Sequence, residues 1–212
     1  MASDHPKLLI VEGKDDQYSV VSLMKAHLPW PDDAHPIHLE DGNGVNEILK
    51  DGYLTVHLKS RTTMVLGIML DADKKPKDRY KALRNICLPY FPSMPRSIPA
   101  TGLITKDNGK QLGIWIMPDN ISPGILETFL SFLIPTKHTV VWQQAVNAVA
   151  TARASGAPCR DVHLPKAELY TWLAWQDPPS LSAGQALTKK VLDPRATSAA
   201  AFVAWIRQLY SI

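Results

Sequence analysis

The chain has 212 residues, 45% of them hydrophobic and 20% charged, with a formal net charge of +3. That length allows one sizeable domain or a core with a small appendage, and so mild a charge excludes a globally basic nucleic-acid binder, so that any phosphate-binding surface must be a local patch. Cys87 and Cys159 form neither a CxxC pair nor a disulfide scaffold. Met1-Ala2-Ser3-Asp4-His5-Pro6 lacks the charged start and apolar stretch of a signal peptide. No segment approaches the ~20 apolar residues of a membrane span. The expectation is a cytoplasmic protein that does not enter a membrane.

In chain order, residues 7–11 predict a short apolar strand. Gly13 allows a turn, and Asp16 caps a helix running to about residue 28, with Val20, Met24 and Leu28 at helical spacing. Residues 37–40 predict a second strand, and residues 45–51 a helix after the Gly42-Asn43-Gly44 turn. The run 63–70 is apolar nearly throughout, which suits a central strand of a parallel sheet, buried on both faces. Pro76 opens a helix with Tyr80, Leu83 and Cys87 on one side. Four prolines make 89–99 a loop. Segments 101–105 and 111–117 flank Asn108-Gly109, a hairpin signal. Ser122-Pro123 reads as N-cap and first residue of a helix that carries Leu126, Phe129, Leu130 and Leu133. From Thr139 every segment reads as helix: 140–154, 164–175, 183–192, and a last one with the stripe Phe202, Trp205, Ile206, Leu209 and Tyr210. Trp142, Trp172, Trp175 and Trp205 are expected in the core. The pattern predicts an α/β core over residues 1–137, its mainly parallel sheet flanked by helices, and a helical portion over 138–212 packed on it.

Glu12, Asp71, Asp73 and Asp119 each fall just past a predicted strand, and in open parallel sheets the carboxyl ends of the strands form the ligand-binding edge. Convergent carboxylates repel, so one must take up a proton or a cation must bind. Mg²⁺ suits such oxygen donors, and Mn²⁺ is the natural substitute. Asp71 and Asp73 project to the same side if the chain stays extended between them. Asp119 reads equally as the start of an Asx turn. Lys74, Lys75, Lys77 and Arg79, followed by Lys81 and Arg84, crowd just after the aspartate pair. Such a run is ordinarily a solvated helix face; beside an acidic edge the same cations would grip the phosphates of nucleic acid.

Val11-Glu12-Gly13-Lys14-Asp15-Asp16 after a first strand, then Leu70-Asp71-Ala72-Asp73, resembles the Toprim domain of primases, topoisomerases, 5S ribosomal RNA maturases and OLD-type nucleases. The resemblance covers roughly the first 135 residues. Ile114 to Asn120, Gly124-Ile125-Leu126-Glu127 and the stretch Thr171 to Gln176 resemble a small stand-alone Toprim-like family across nearly the whole chain. The resemblance implies a Toprim-like core in which Glu12 is a general acid/base or metal ligand and Asp71 and Asp73 bind Mg²⁺. Likeness to OLD-type nucleases implies that Glu127 serves a second metal. It also offers Lys166 as the lysine that neutralises a reacting phosphate, where the bland alternative is a helix-surface lysine.

These observations predict a Mg²⁺-dependent nuclease. The chain leaves no room for the tyrosine-bearing domain of a topoisomerase and lacks the modules of a primase. The alternatives are another metal-dependent phosphotransfer enzyme, or a non-catalytic module that binds nucleic acid, a protein partner or a second copy of itself.

Overall fold

The computed structural model describes residues 5–31 and 35–212. Residues 1–4, part of the stretch read for a targeting signal, lie outside them.

Five strands form one sheet: β1 (Lys7–Val11), β2 (His38–Asp41), β3 (Val65–Asp71), β4 (Leu103–Asp107) and β5 (Lys110–Met117), in the order β2-β1-β3-β5-β4. All neighbours are parallel except β4 and β5, an antiparallel hairpin. Its turn, Asn108-Gly109, has positive φ at both residues (47° and 77°), as a two-residue hairpin requires. β3 is central and pairs with β1 from Lys7↔Val65 to Ile10↔Ile68.

Side chains alternate across the sheet, and both faces are apolar. Leu8, Ile10, Ile68, Leu70, Ile114 and Ile116 face α2 (Val45–Ile48), α3 (Tyr53–Lys59) and α4 (Pro76–Cys87). Leu9, Val11, Met69, Trp115 and Met117 face α1 (Lys14–Lys25), α5 (Leu126–Ser131), α7 (Leu164–Ala174), α8 (Ala183–Thr188) and α9 (Ala200–Tyr210). The remaining long helix, α6 (Thr139–Ala154), buries only Ala145 and Val149. No helix of the described residues is long and apolar enough to cross a membrane.

α9 closes the second face through a slot made by two glycines in register, Gly67 and Gly113. A Cβ on Gly67 would stand 2.2 Å from the Tyr210 hydroxyl, and one on Gly113 would stand 2.4 Å from Leu209. That close approach lets Tyr210 Oη donate to the Leu8 carbonyl (2.7 Å). Lys7 Nζ and Gln111 Nε2 donate to the carbonyls of Tyr210 (2.6 Å) and Leu209 (2.9 Å), partners that a helix C-terminus otherwise lacks.

Several expected boundaries shift. The first helix begins at Lys14 with Gly13 as its N-cap, so Asp16 is inside it. The expected helix over 45–51 is shorter: α2 stops at Ile48 with Leu49 as its C-cap, and a further helix, α3, starts after Gly52, at φ 93°. The helix after β5 starts at Leu126, because Ser122 is held by Asp119 and Gly124 is paired with Asp73. Trp172 and Trp205 are buried, whereas Trp175 is 48% exposed beyond the end of α7.

Two outcomes follow from the layering. Amide hydrogen exchange will place Val65–Met69 among the slowest amides of the chain, since β3 is paired on both sides and covered on both faces. Gly67→Ala will destabilise the fold by about 1–3 kcal/mol in a denaturant titration, because the new methyl displaces Tyr210 from its buried bond.

Candidate functional site

The carboxyl ends of β1 and β3 lie side by side where the strand order reverses, the usual ligand crevice of an open α/β sheet. Glu12 follows β1, and its Oε1 accepts a hydrogen bond from the Asp71 amide (2.8 Å). Asp71 ends β3, and its Oδ1 accepts one from the Leu126 amide (2.9 Å), at the first residue of α5. Asp16 and Glu127, both buried, belong to the same group. Asp16 Oδ2 reaches back from the first turn of α1 to accept from the Gly13 amide (3.0 Å).

Burial and mutual repulsion act together on these acids. Burial raises the Glu12 carboxyl above its ordinary range, against the pull of the Asp71 amide and Arg79. Asp71 is held well above the usual carboxylate range by burial, then by Glu12, Asp16, Glu127 and Asp73. Asp16 is pushed up to about 7 by burial and by Glu12 and Glu127. Asp16 is the residue that sequence reasoning missed: its local role as a helix-start acid concealed its place among the others.

Lys166, from α7, lies 3.2 Å from Glu127 Oε1 and 3.6 Å from Asp15 Oδ2. Burial alone would lower its ammonium, but Glu127 and then Asp15 outweigh that and hold its pKa above the ordinary value. Lys166 is thus a half-exposed helix lysine that stands beside the acidic group. Two concavities meet at Asp71, Glu127 and Lys166. One, of about 360 Å³, also holds Glu12, Asp15 and Asp16. The other, of about 810 Å³, opens toward Asp73, Lys74, Lys75, Arg79 and His163.

Other expected residues stand differently. Asp73 does not continue the pleat: its φ of 52° is left-handed, and it exchanges two backbone bonds with Gly124 (2.9 Å each). Its Oδ2 accepts from Arg79 Nη2 (2.5 Å), while Arg79 Nε donates to the Asp71 carbonyl (2.8 Å). Arg79 is thus engaged with the acids. Lys74 and Lys75 line the larger cleft with no side-chain partner among the described residues. Lys77 instead lines a separate cleft with Lys81 and Arg96. Asp119 makes the Asx turn: its carboxylate accepts from the amides of Ile121 (3.0 Å) and Ser122 (2.7 Å) and the Ser122 hydroxyl (2.9 Å). Burial pushes its pKa up, but those bonds outweigh it and hold the group below its ordinary range. It lines neither cleft.

As the side chains stand, no three His, Cys, Asp or Glu among the described residues form a ready-made metal shell. The donor chemistry nevertheless fits a hard divalent cation. The converging groups are all carboxylates, and burial first, then the neighbouring acids, holds Asp71 and Asp16 above the usual carboxylate range.

Fold and site together define an α/β protein with a buried acidic cluster at the carboxyl edge of its sheet, flanked by lysines. The chain belongs to the family described as "Protein of unknown function (DUF3226)", whose pattern matches residues 6–211. No curated protein and no solved structure matches it.

The raised acids set a pH dependence. Asp16 titrates near 3.8 when unperturbed and at about 7 in the fold, so the folded state binds the extra proton between those values. Its contribution to stability is full below the lower value and is lost as pH rises through the upper one. In chelator-treated protein, stability will therefore fall from about pH 4 to pH 7. Asp16→Asn will flatten that slope in denaturant titrations across the range.

Proposed function

We propose that this protein is a Mg²⁺- or Mn²⁺-dependent phosphodiesterase acting on nucleic acid, with a Toprim-like site. The observation that carries the reading is the buried carboxylate group on the β1–β3 edge, with two uncommitted lysines beside it in one cleft. Glu12, Asp71 and Asp73 would hold the cation, with Asp16 and Glu127 in reach of the same cluster. When bound, the cation supplies charge neutralisation on the phosphate and a water made acidic enough to attack at neutral pH. Glu12, raised by burial, would share in holding the cation or take a proton from the attacking water. Lys166 would turn from Glu127 to the phosphate oxygen once the cation neutralises Glu127. Lys74 and Lys75 grip flanking phosphates. The cytoplasm is the compartment that goes with this reading.

The pairs Arg79–Asp73 and Lys166–Glu127 favour a second reading, a binding module whose acids are already neutralised by the chain itself. Turnover separates the two.

Mg²⁺ will raise the melting temperature of the wild type, by roughly 2.7 kcal/mol of added stability at a hundred times Kd. Asp71→Asn will lose that increment, and an equal metal shift in both proteins sinks the metal site. On a panel of single-stranded, duplex and nicked DNA and RNA with Mg²⁺ or Mn²⁺, Asp73→Asn will cut turnover by more than about 100-fold, the scale of losing one preorganised electrostatic contact. The fold will survive, because Asp73 is exposed. Lys75→Ala will instead weaken binding and lower the salt slope by about 1, with a smaller effect on the chemical step. If the wild type cleaves nothing on the panel, the hydrolase reading is abandoned for the binding module.

A further inference from the structure

A third concavity, of about 440 Å³, adjoins the larger acidic cleft and shares Asp73, Lys74, Ile125 and Val162 with it. Its walls are of a different kind. Pro123 and Ile125 come from the connection between β5 and α5, and Val162 and Pro165 come from the 3₁₀ turn and first residues of α7. Val162 is 39% exposed and belongs to no core cluster.

Several polar groups on these walls are engaged within the chain, while Lys74 and the second Asp161 oxygen stay open to solvent at the rim. Gly124 spends its amide and carbonyl on Asp73 (2.9 Å each), and Thr128 Oγ1 accepts from the Ile125 amide (3.1 Å). The Asp161 carboxylate is held by Arg153 Nη2 (2.5 Å). The surface offered to a ligand is therefore mainly aliphatic and presents few groups able to read a hydrogen-bond pattern. The volume lies within the ~300–1,000 Å³ of small-molecule pockets.

We propose that this shelf seats the base of the nucleotide whose phosphate lies in the acidic cleft. The inference rests on the phosphodiester reading above and adds the subsite for the neighbouring base. A mainly aliphatic wall suits the flat face of any base, while Lys74, at the junction of the two cavities, meets the attached phosphate. An apolar protein side chain could fill the shelf but would bring that lysine no anion. Recognition here is tolerant of sequence, because stacking on an apolar wall uses the face common to all bases. Purines gain over pyrimidines through area alone.

The test compares adenosine 5′-monophosphate with ribose 5-phosphate by calorimetry in Mg²⁺, on the whole chain. The nucleotide will bind about tenfold tighter, the scale of covering part of one base face with apolar side chains. Val162→Ser will remove most of that advantage and leave ribose 5-phosphate binding unchanged, and Val162→Leu, which keeps the wall apolar, will retain it. Equal binding of the two compounds by the wild type overturns the inference, as does failure of both to bind, or an equal loss for both in Val162→Ser. Base-dependent binding without cleavage of any polynucleotide sustains the shelf and sinks the hydrolase reading. Cleavage together with equal binding of the two compounds does the reverse.

Discussion

The hydrogen bond from the Asp71 amide to Glu12 Oε1 (2.8 Å) ties the end of the first strand to the end of the third. It lies just beyond the last backbone pair of those strands, Ile10 and Ile68. At that point the chain leaving β1 turns toward α1 on one face, and the chain leaving β3 turns toward α4 on the other. A side chain thus continues the ladder where the backbone no longer can, and two carboxylates arrive at one edge as a result. The arrangement withdraws both from water, which favours their neutral forms.

The two cations supplied by the chain answer this charge differently. Arg79 anchors its Nε on the Asp71 carbonyl and would stay in place even if Asp73 swung away. Asp73 is half exposed, so water can replace much of that attraction, and a pair of this kind contributes on the order of 1 kcal/mol or less. Glu127 is buried, and separating it from Lys166 would leave an uncompensated charge in low dielectric. Asp73 is accordingly the acid that can move at small cost. Glu127 moves only when something else neutralises it.

Much of this was legible in the sequence where one physical cause dominated. The apolar runs of β1 and β3 demanded burial on both faces, and Asn108-Gly109 demanded a hairpin. Glu12 and Asp71 were legible because a strand end fixes a position in a parallel sheet. What escaped depended on distant packing or on one backbone angle. Asp16 looked local because its bond to Gly13 is local; its neighbours Glu127 and Lys166 in the smaller concavity come from far along the chain. Asp73 was expected to follow the pleat from Asp71, and its left-handed φ cannot be read from residue type, since aspartate tolerates but does not require it. α3 was missed because Thr55 and Val56, both β-branched, weaken a helical signal that Leu54 and Leu58 carry only through burial.

The helical portion of the chain completes the site as well as covering the sheet. α7 brings Lys166 to Glu127 and Asp15, so the part of the countercharge that Arg79 does not supply arrives with that helix. The docking is driven elsewhere, by Leu169, Trp172 and Leu173 in the same apolar cluster as Phe129 and Leu130 of α5. α9 holds the other end through the Gly67–Gly113 slot and the Tyr210 bond to β1. Burial of those side chains is favourable at roughly 1.5–3 kcal/mol each, which is the scale needed to hold several repelling carboxylates together. A strained edge of this kind persists because the surrounding core over-determines it. The acids converge because the tryptophans, leucines and paired glycines behind them leave the edge no other arrangement.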